Sequence, residues 1–256
     1  MPPHRRPAQP LLAPGTRVVR RGRDSWQVGV DPGRRVVVPD SADVVEELAA
    51  LRLGTTATGE PTNLSRSLAE AGLLARPRPR WTKVVVRGTL GTDPTALLEL
   101  LGVRSPRDPA HQTPGLLLSV GEPNRELLDP WLREGRSHLV VRVVDGRVII
   151  GPLVIPGHTA CLRCIDCHLV DIEPEHYAVL YRYVHTPRED GFGDEIPAVT
   201  HHLALSWALS ELAAYADGLD PVSLSSTLAL GESGLECTAW HRHPECGCSW
   251  SGTIDP

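Results

Sequence analysis

Two cysteine pairs far apart in the chain, Cys161-Leu162-Arg163-Cys164 and Cys246-Gly247-Cys248, constrain what this sequence can fold into more than any other feature. A CxxC spacing lets two thiolates point at one ion, and Gly247, free to adopt positive φ, would let the second pair close equally tightly. Four soft ligands in two close pairs predict a structural, tetrahedral Zn²⁺ site, with buried or redox-active thiols as the alternative. The separation of the pairs excludes an autonomous zinc finger. The ion would instead staple the C-terminal stretch His243 to Cys248, HPECGC, onto a larger domain.

Composition narrows the function. A formal charge of −5 and a pI near 6.1 provide no global basic field for nucleic acid or anionic membrane. Lys83 is the only lysine, so no GxxxxGK loop can grip a nucleotide phosphate. The Pro-rich start MPPHRRPAQPLLAPG has no apolar signal region, and no apolar run is long enough to span a bilayer. The expected location is cytoplasmic, where clustered cysteines favour metal over disulfides.

In order, residues 1–15 read as disordered. Three short strands follow, 17–21, 25–30 and 34–38, the second and third joined at Asp31-Pro32-Gly33. Asp40 or Ser41 caps a helix ending at Gly54. Pro61 then opens a second helix, 63–72, carrying Leu64, Leu68 and Ala71. Strands with a helix-turn-helix predict a winged-helix domain over 16–76, followed by the linker ARPRPRW. From Thr82 the pattern becomes α/β: the strand KVVVRG, a glycine-containing turn, a helix capped by Asp93-Pro94, a strand 115–120, a helix 124–134, and two strands, 137–144 and 147–154, joined at Asp145-Gly146. After the cysteine turn come a helix over 172–183, an acidic glycine-rich loop, a long helix over 198–217 with Leu203, Trp207, Leu209, Leu212, Ala213 and Ala216 as its apolar face, and strands 224–230 and 235–240. This is a degenerate Rossmann-like domain over 81–256.

Its nucleotide chemistry is missing. The turn Arg87-Gly88-Thr89-Leu90-Gly91-Thr92-Asp93-Pro94 departs from GxGxxG, and Asp93 and Pro94 stand where phosphate oxygens would sit. No acidic residue is evident after the second strand to hold a ribose. No nucleotide and no catalytic residue set are therefore expected. Adjacent His201 and His202 point about 100° apart on a helix and do not share an ion. His168, His241 and His243 are candidates to support or replace a cysteine ligand, and Cys167 competes with Cys164. Cys237 reads as a packed thiol, and the acidic run Glu189, Asp190, Asp194, Glu195 as a solvated turn.

With these residues assembled, GPLVIPGHTACLRCIDCHL, the alanine-rich helix after it, HPECGC and the N-terminal WQVGVDPGRRVVV resemble the ThiF-like, ubiquitin-activating-enzyme-like proteins that serve as cyclodehydratase partners in ribosomal peptide modification. The resemblance covers the chain from about residue 16. It implies Cys161, Cys164, Cys246 and Cys248 as zinc ligands and a winged helix that recognises precursor leader peptides. It departs from the family at Cys167, usually apolar there, and in a shortened middle region without the nucleotide glycines. A leader peptide would add as a strand along Arg34, Arg35, Val36, Val37 and Val38, beside Asn63, Leu64, Arg66, Ser67 and Leu68. The implied partners are that peptide, a separate YcaO-type cyclodehydratase and a second copy of the chain, with no nucleic acid or membrane. The alternatives are an ATP-dependent adenylyltransferase acting on a peptide and a winged-helix regulator binding DNA.

Overall fold

A computed structural model describes residues 11–54, 61–75, 83–90, 93–100, 102–106, 110, 112–186, 197–231 and 234–248. The readings of residues 1–10, the link 55–60, the linker from 76, the Gly91 end of the glycine turn and the acidic loop 187–196 lie outside these residues. The chain divides into two compact units, Met1–Arg78 and Pro79–Pro256.

In the first unit, β1 (Val18–Arg20), β2 (Ser25–Val28) and β3 (Val36–Pro39) form an antiparallel sheet in that order, with Trp26 opposite Val38 and Val28 opposite Val36. β2 stops two residues earlier than its alternation predicts. Gly29 is left-handed, φ 81°, and a Cβ there would lie 2.5 Å from the Arg34 carbonyl oxygen, so the chain turns and Val30 is left exposed. The turn absorbs Arg34, whose N–H bonds the Asp31 carbonyl at 3.0 Å, and Arg35 precedes β3. α1 (Ala42–Leu53) has Ser41 at its N-cap, without a side-chain capping bond, and ends at left-handed Gly54. Asp40 is occupied elsewhere, accepting from Arg20 and from Trp26 Nε1 at 2.7 Å. α2 (Asn63–Glu70) is capped by Thr62, whose Oγ1 accepts the Ser65 N–H at 3.0 Å, so Pro61 stands outside the helix. Val28, Val38, Leu48, Leu51, Leu64, Leu68 and Leu73 close the core between sheet and helices.

The second unit is built on a six-stranded mixed sheet. β4 (Val85–Gly88), β5 (Gly115–Val120) and β6 (His138–Val144) are parallel. β7 (Arg147–Val154), β8 (Ser226–Gly231) and β9 (Gly234–Ala239) continue it antiparallel, in straight sequence order. Burial of β5 and β6 on both sides explains their unbroken apolar runs. Leu116, Leu118, Leu139, Val141 and Val143 face α3 (Thr95–Leu100) and α7 (Ala198–Ala216). Leu117 and Val140 face α4 (Asp129–Arg133) and α5 (Leu162–Ile172). Asp145 and Gly146, both at positive φ, make the predicted hairpin turn between β6 and β7.

Three helices differ from expectation. The segment predicted as one helix over 124–134 is a 3-10 turn, Arg125–Leu128, with Asn124 Oδ1 accepting the Glu126 N–H, and then α4, in which Pro130 occupies the first turn. The helix predicted over 172–183 is two: α5 begins directly after Cys161, and α6 (His176–His185) follows the break at Glu173-Pro174-Glu175. α7 has the predicted span, but its buried face is Ala204, Leu205, Ala208, Leu209, Glu211 and Leu212, while Leu203 is exposed. Alanines let the helix approach the sheet closely, so counting large residues misplaces the face. Glu211 is satisfied by the Ser223 N–H and hydroxyl, at 2.7 and 2.8 Å, and by Trp207 Nε1. β8 begins only at Ser226, because Ser225 is left-handed, and Trp240 leaves β9 to donate its N–H to Ser225.

One buried base gives the unit a pH dependence. His138 on β6 lies against Trp131, its Nδ1 2.9 Å from the Arg136 carbonyl, and burial pushes its pKa down from 6.5 to about 4. The neutral ring is the folded form. Its contribution is therefore complete above pH 6.5 and is lost as the pH falls toward 4. Urea denaturation is expected to show roughly 2–3 kcal/mol less stability at pH 4.5 than at pH 7 from this group, a slope missing in His138→Leu.

Candidate functional site

The cysteine pairs meet because two segments converge on one end of the second unit. After β7, Thr159 Oγ1 accepts the Ile155 N–H at 2.7 Å, and the Ala160 N–H reaches Ser225 Oγ at 3.0 Å. This delivers Cys161 to the N-cap of α5, with Cys164 one turn further on. From the other side, Trp240 is anchored by its indole N–H to Thr227, and the chain runs to a turn closed by the Cys246 N–H on the His243 carbonyl. That turn, rather than Gly247, makes the second pair tight. Gly247 is not at positive φ, and a Cβ there would meet nothing.

Cys161 Sγ lies 3.8 Å from Cys164 and 3.7 Å from Cys246, and Cys164 lies 3.3 Å from Cys248. All four sulfurs fall within 4.8 Å of one another, and three of the four residues are buried. Metal–sulfur bonds of about 2.3 Å in a tetrahedron put sulfurs about 3.8 Å apart, so the arrangement is compatible with one ion. Hydrogen bonding among the thiols shifts them in opposite directions. Cys164 is pulled down by the Cys161 thiol and, further, by the His243 backbone N–H, while Cys161 is pushed up by Cys164 and Cys246. Backbone N–H groups aimed at sulfur, from His243 to Cys164 and from Cys248 to Cys246, favour thiolates, the form that binds metal.

The neighbouring candidates take other roles. Cys167 bonds the Tyr177 hydroxyl at 3.1 Å and stands outside the four-sulfur group. Cys237 is exposed on β9 rather than packed. His168 Nε2 pairs with the His241 carbonyl at 2.9 Å. His243 accepts the Glu245 N–H at Nδ1 and donates from Nε2 to Asp171 at 3.0 Å. With both nitrogens engaged, His243 braces the cysteine loop against α5 instead of replacing a ligand. His201 is half-buried and His202 exposed, its Nδ1 turned to the Ala198 carbonyl.

An ion network missed in the sequence holds α5 in place. Arg125 grips Asp166 through two bonds, 2.9 and 2.7 Å, and Glu122 through a third at 2.6 Å. Arg142 donates to Glu122 at 2.8 Å and to the Gly151 carbonyl. Asp166 sits on α5 between Cys164 and Cys167 and is 1% exposed, so the network fixes the helix that carries two of the cysteines. Glu122 stands two residues after β5, the second strand of the sheet. Burial raises its pKa, but Arg142 and Arg125 more than offset this and hold it low, and both its oxygens are occupied. At the glycine turn, a Cβ on Gly88 would lie 2.0 Å from the Leu118 carbonyl oxygen, so Gly88 serves the approach of β4 to β5. Asp93 takes the Thr95 hydroxyl and N–H at 2.6 and 2.9 Å, bonds that lower its pKa.

In the first unit the predicted peptide residues separate. Leu64, Leu68 and Val38 are buried in the core, and Val36 is half-buried beside them. Arg34 ties the hairpin to the end of α2 through the Gly72 carbonyl at 2.6 Å and the Ala71 carbonyl. Arg35, Val37, Asn63, Arg66 and Ser67 are exposed, with Arg66 donating toward Asn63 and Pro61. Among the described strands β3 pairs only with β2, and α2 packs beside it.

No family model and no curated protein sequence matches the chain. Solved structures do. The heterocyclase TruD matches 95% of this chain with a TM-score of 0.66 at 16% identity, and a heterocyclase described in complex with substrate and cofactor matches 94% at 0.65 and 16%. This chain spans 43% and 39% of those two chains, less than half their length. MccB of E. coli matches 96% of this chain and 98% of its own, with a TM-score of 0.53 at 13% identity. The chain is thus similar in fold to part of the heterocyclases and to the whole of MccB.

Proposed function

We propose that the protein is a non-catalytic scaffold that binds the leader of a ribosomally made precursor peptide and presents it to a separate modifying enzyme of the YcaO cyclodehydratase type. The observation that carries the reading is the edge of β3 beside α2, which no second strand covers among the described residues, in a chain whose fold is similar to part of a heterocyclase and to MccB. The first unit is read as the winged-helix recognition domain. An added peptide strand would hydrogen-bond along Val36–Pro39, with Val37 and Arg35 on one side and Asn63, Arg66 and Ser67 on the other. Leu64, Leu68 and Val38 support this surface from beneath, and Arg34 fixes its end.

The second unit is read as a degenerate ThiF-like, Rossmann-like domain closed by structural Zn²⁺ on Cys161, Cys164, Cys246 and Cys248. Four thiolates leave the ion no open position and give it no catalytic role. Against adenylation stand the packing role of Gly88, Asp93 at the start of α3, the saturated Glu122 and a strand order with no reversal among the described strands, where nucleotides bind in such folds. The modifying enzyme would correspond to the part of the heterocyclase chains that this chain does not span. A tethered core peptide gains effective concentration there without any new contact.

The test is a fluorescence anisotropy titration with the leader of a precursor encoded beside the gene. Micromolar or tighter binding is expected, weakened about tenfold in Arg35→Glu/Arg66→Glu, with no ATP-dependent pyrophosphate exchange. Exchange activity on the peptide would favour adenylation instead.

A further inference from the structure

In the first unit the described helices pack on one face of the three-stranded sheet only. Val28 and Val38 are buried in the core, with Val18, Trp26 and Val36 packed against them, so the alternation of the strands turns the intervening residues outward. On that outer face Val19, Gln27 and Val37 stand opposite one another in a single row. None of the three joins the core, and Val37 is 45% exposed. Arginines frame the row. The pairing runs on past both ends of β1, through the Gly29 N–H on the Arg17 carbonyl and the Arg21 N–H on the Ser25 carbonyl, so Arg17 and Arg21 share the face of Val19. The Arg21 guanidinium accordingly reaches Gln27 Oε1 at 3.5 Å. Arg35 takes the matching place before Val37. Among the described residues the side chains of Arg17 and Arg35 make no hydrogen bond or ion pair. No acidic residue occupies any outward position of the face, 17, 19, 21, 25, 27, 35, 37 or 39, whereas Asp43, Glu46 and Glu47 collect on α1.

We infer that this outer face docks an acidic, amphipathic helix of a partner protein. An apolar centre rimmed by unpaired cations is the complement of a helix that carries carboxylates on either side of an apolar residue, and a helix is the usual cover for the face of a sheet. The spacings agree. Arg17 and Arg21, four residues apart on a strand, are separated by about 13 Å, and residues eight apart on a helix rise by about 12 Å. A helix laid along β1 with Glu, Leu and Glu at successive intervals of four residues therefore sets one carboxylate at each arginine and its leucine over Val19, leaving Arg35 for a third carboxylate on the β3 side. The chain as a whole carries −5, so the attraction belongs to this face alone. Single-stranded RNA lies on sheets by stacking its bases on aromatic side chains, and no outward position here is aromatic, Trp26 being turned to the core. The face is distinct from the β3 edge and α2, and β1 is the strand farthest from that edge, so the inference does not depend on leader binding.

Fluorescence anisotropy of the full chain tests it with three labelled probes: an alanine-rich helical peptide carrying that Glu, Leu, Glu pattern, the same peptide with Lys for Glu, and a single-stranded RNA of about twelve nucleotides. The acidic peptide is expected to bind at about 10–100 µM in dilute salt and about tenfold more weakly at roughly 0.3 M salt. Arg17→Glu/Arg21→Glu should weaken it at least about tenfold and gain binding of the Lys peptide, with the circular dichroism spectrum and the affinity for a leader peptide unchanged. The milder Arg17→Gln/Arg21→Gln should weaken the acidic peptide in the same direction, which guards against a folding defect in the charge reversal. No saturable binding below about 500 µM, equal binding of the two peptides, indifference to both double variants, or RNA bound more tightly than the acidic peptide would each overturn the inference. So would a parallel loss of leader affinity in Arg17→Glu/Arg21→Glu, since one surface would then serve both ligands.

Discussion

Cys246→Ser is expected to abolish stoichiometric zinc and to lower the stability of the second unit by at least ~4 kcal/mol, the scale of a ligand held a thousandfold above its dissociation constant. At ~2–4 °C per kcal/mol for a unit of this size, calorimetry should show a melting temperature lower by roughly 10 °C or more. The size of the effect follows from what an ion on the four cysteines would join. Cys161 and Cys164 sit at the start of α5, whereas Cys246 and Cys248 end a strand-and-turn segment that is otherwise held near α5 by the His243–Asp171 and His168–His241 contacts. Without an ion, four thiols at 3.3–3.8 Å, three of them on buried residues, would crowd the negative charge that the N–H groups aimed at Cys164 and Cys246 favour. Cys167→Ser should leave the metal in place, because that thiol bonds Tyr177. Full stability without metal, together with redox-dependent melting, would return the site to the dithiol alternative.

Arg125→Met should cost about 3–5 kcal/mol, the usual penalty for removing one partner of a buried ion pair. The change strips Asp166, 1% exposed, of both its strong bonds and leaves Glu122 with Arg142 alone. A second consequence separates this residue from an ordinary core position. Since Asp166 lies between Cys164 and Cys167 on α5, misplacing the helix should weaken metal affinity about 10–100-fold, as the loss of outer contacts does at other metal sites. Chelator competition measures this directly. The double change Arg125→Met/Asp166→Asn should recover part of the stability, since no buried charge on α5 is then left unpaired.

How far the sequence carried the fold depended on the range of the determining contact. The hairpins, the span of α7 and the two cysteine pairs are set by local pattern and fixed spacing, and the structure brings all four cysteines together. The buried face of α7 was misread because Ala204 and Ala208 matter for close approach to the sheet, a property invisible to hydrophobic size. The ion network was missed because Arg125 and Asp166 are 41 residues apart, and Arg142 and Glu122 are 20 apart. A signal existed nonetheless: a lone arginine within the strand HLVVRVV and an aspartate inside the apolar start of α5 both require partners once buried. Leu64 and Leu68 were placed on the peptide surface from a helical stripe that is in fact the core face, since the pattern alone cannot say which side of a helix meets the sheet and which meets a ligand.

Hydrogen–deuterium exchange of the full chain, with and without the leader peptide, addresses the scaffold reading most directly. Slowed exchange confined to Val36–Pro39 and to Asn63–Glu70, with the second unit unchanged, is the predicted result. Protection at the Gly88 turn or around Glu122 and Asp166, with none along β3, would contradict it.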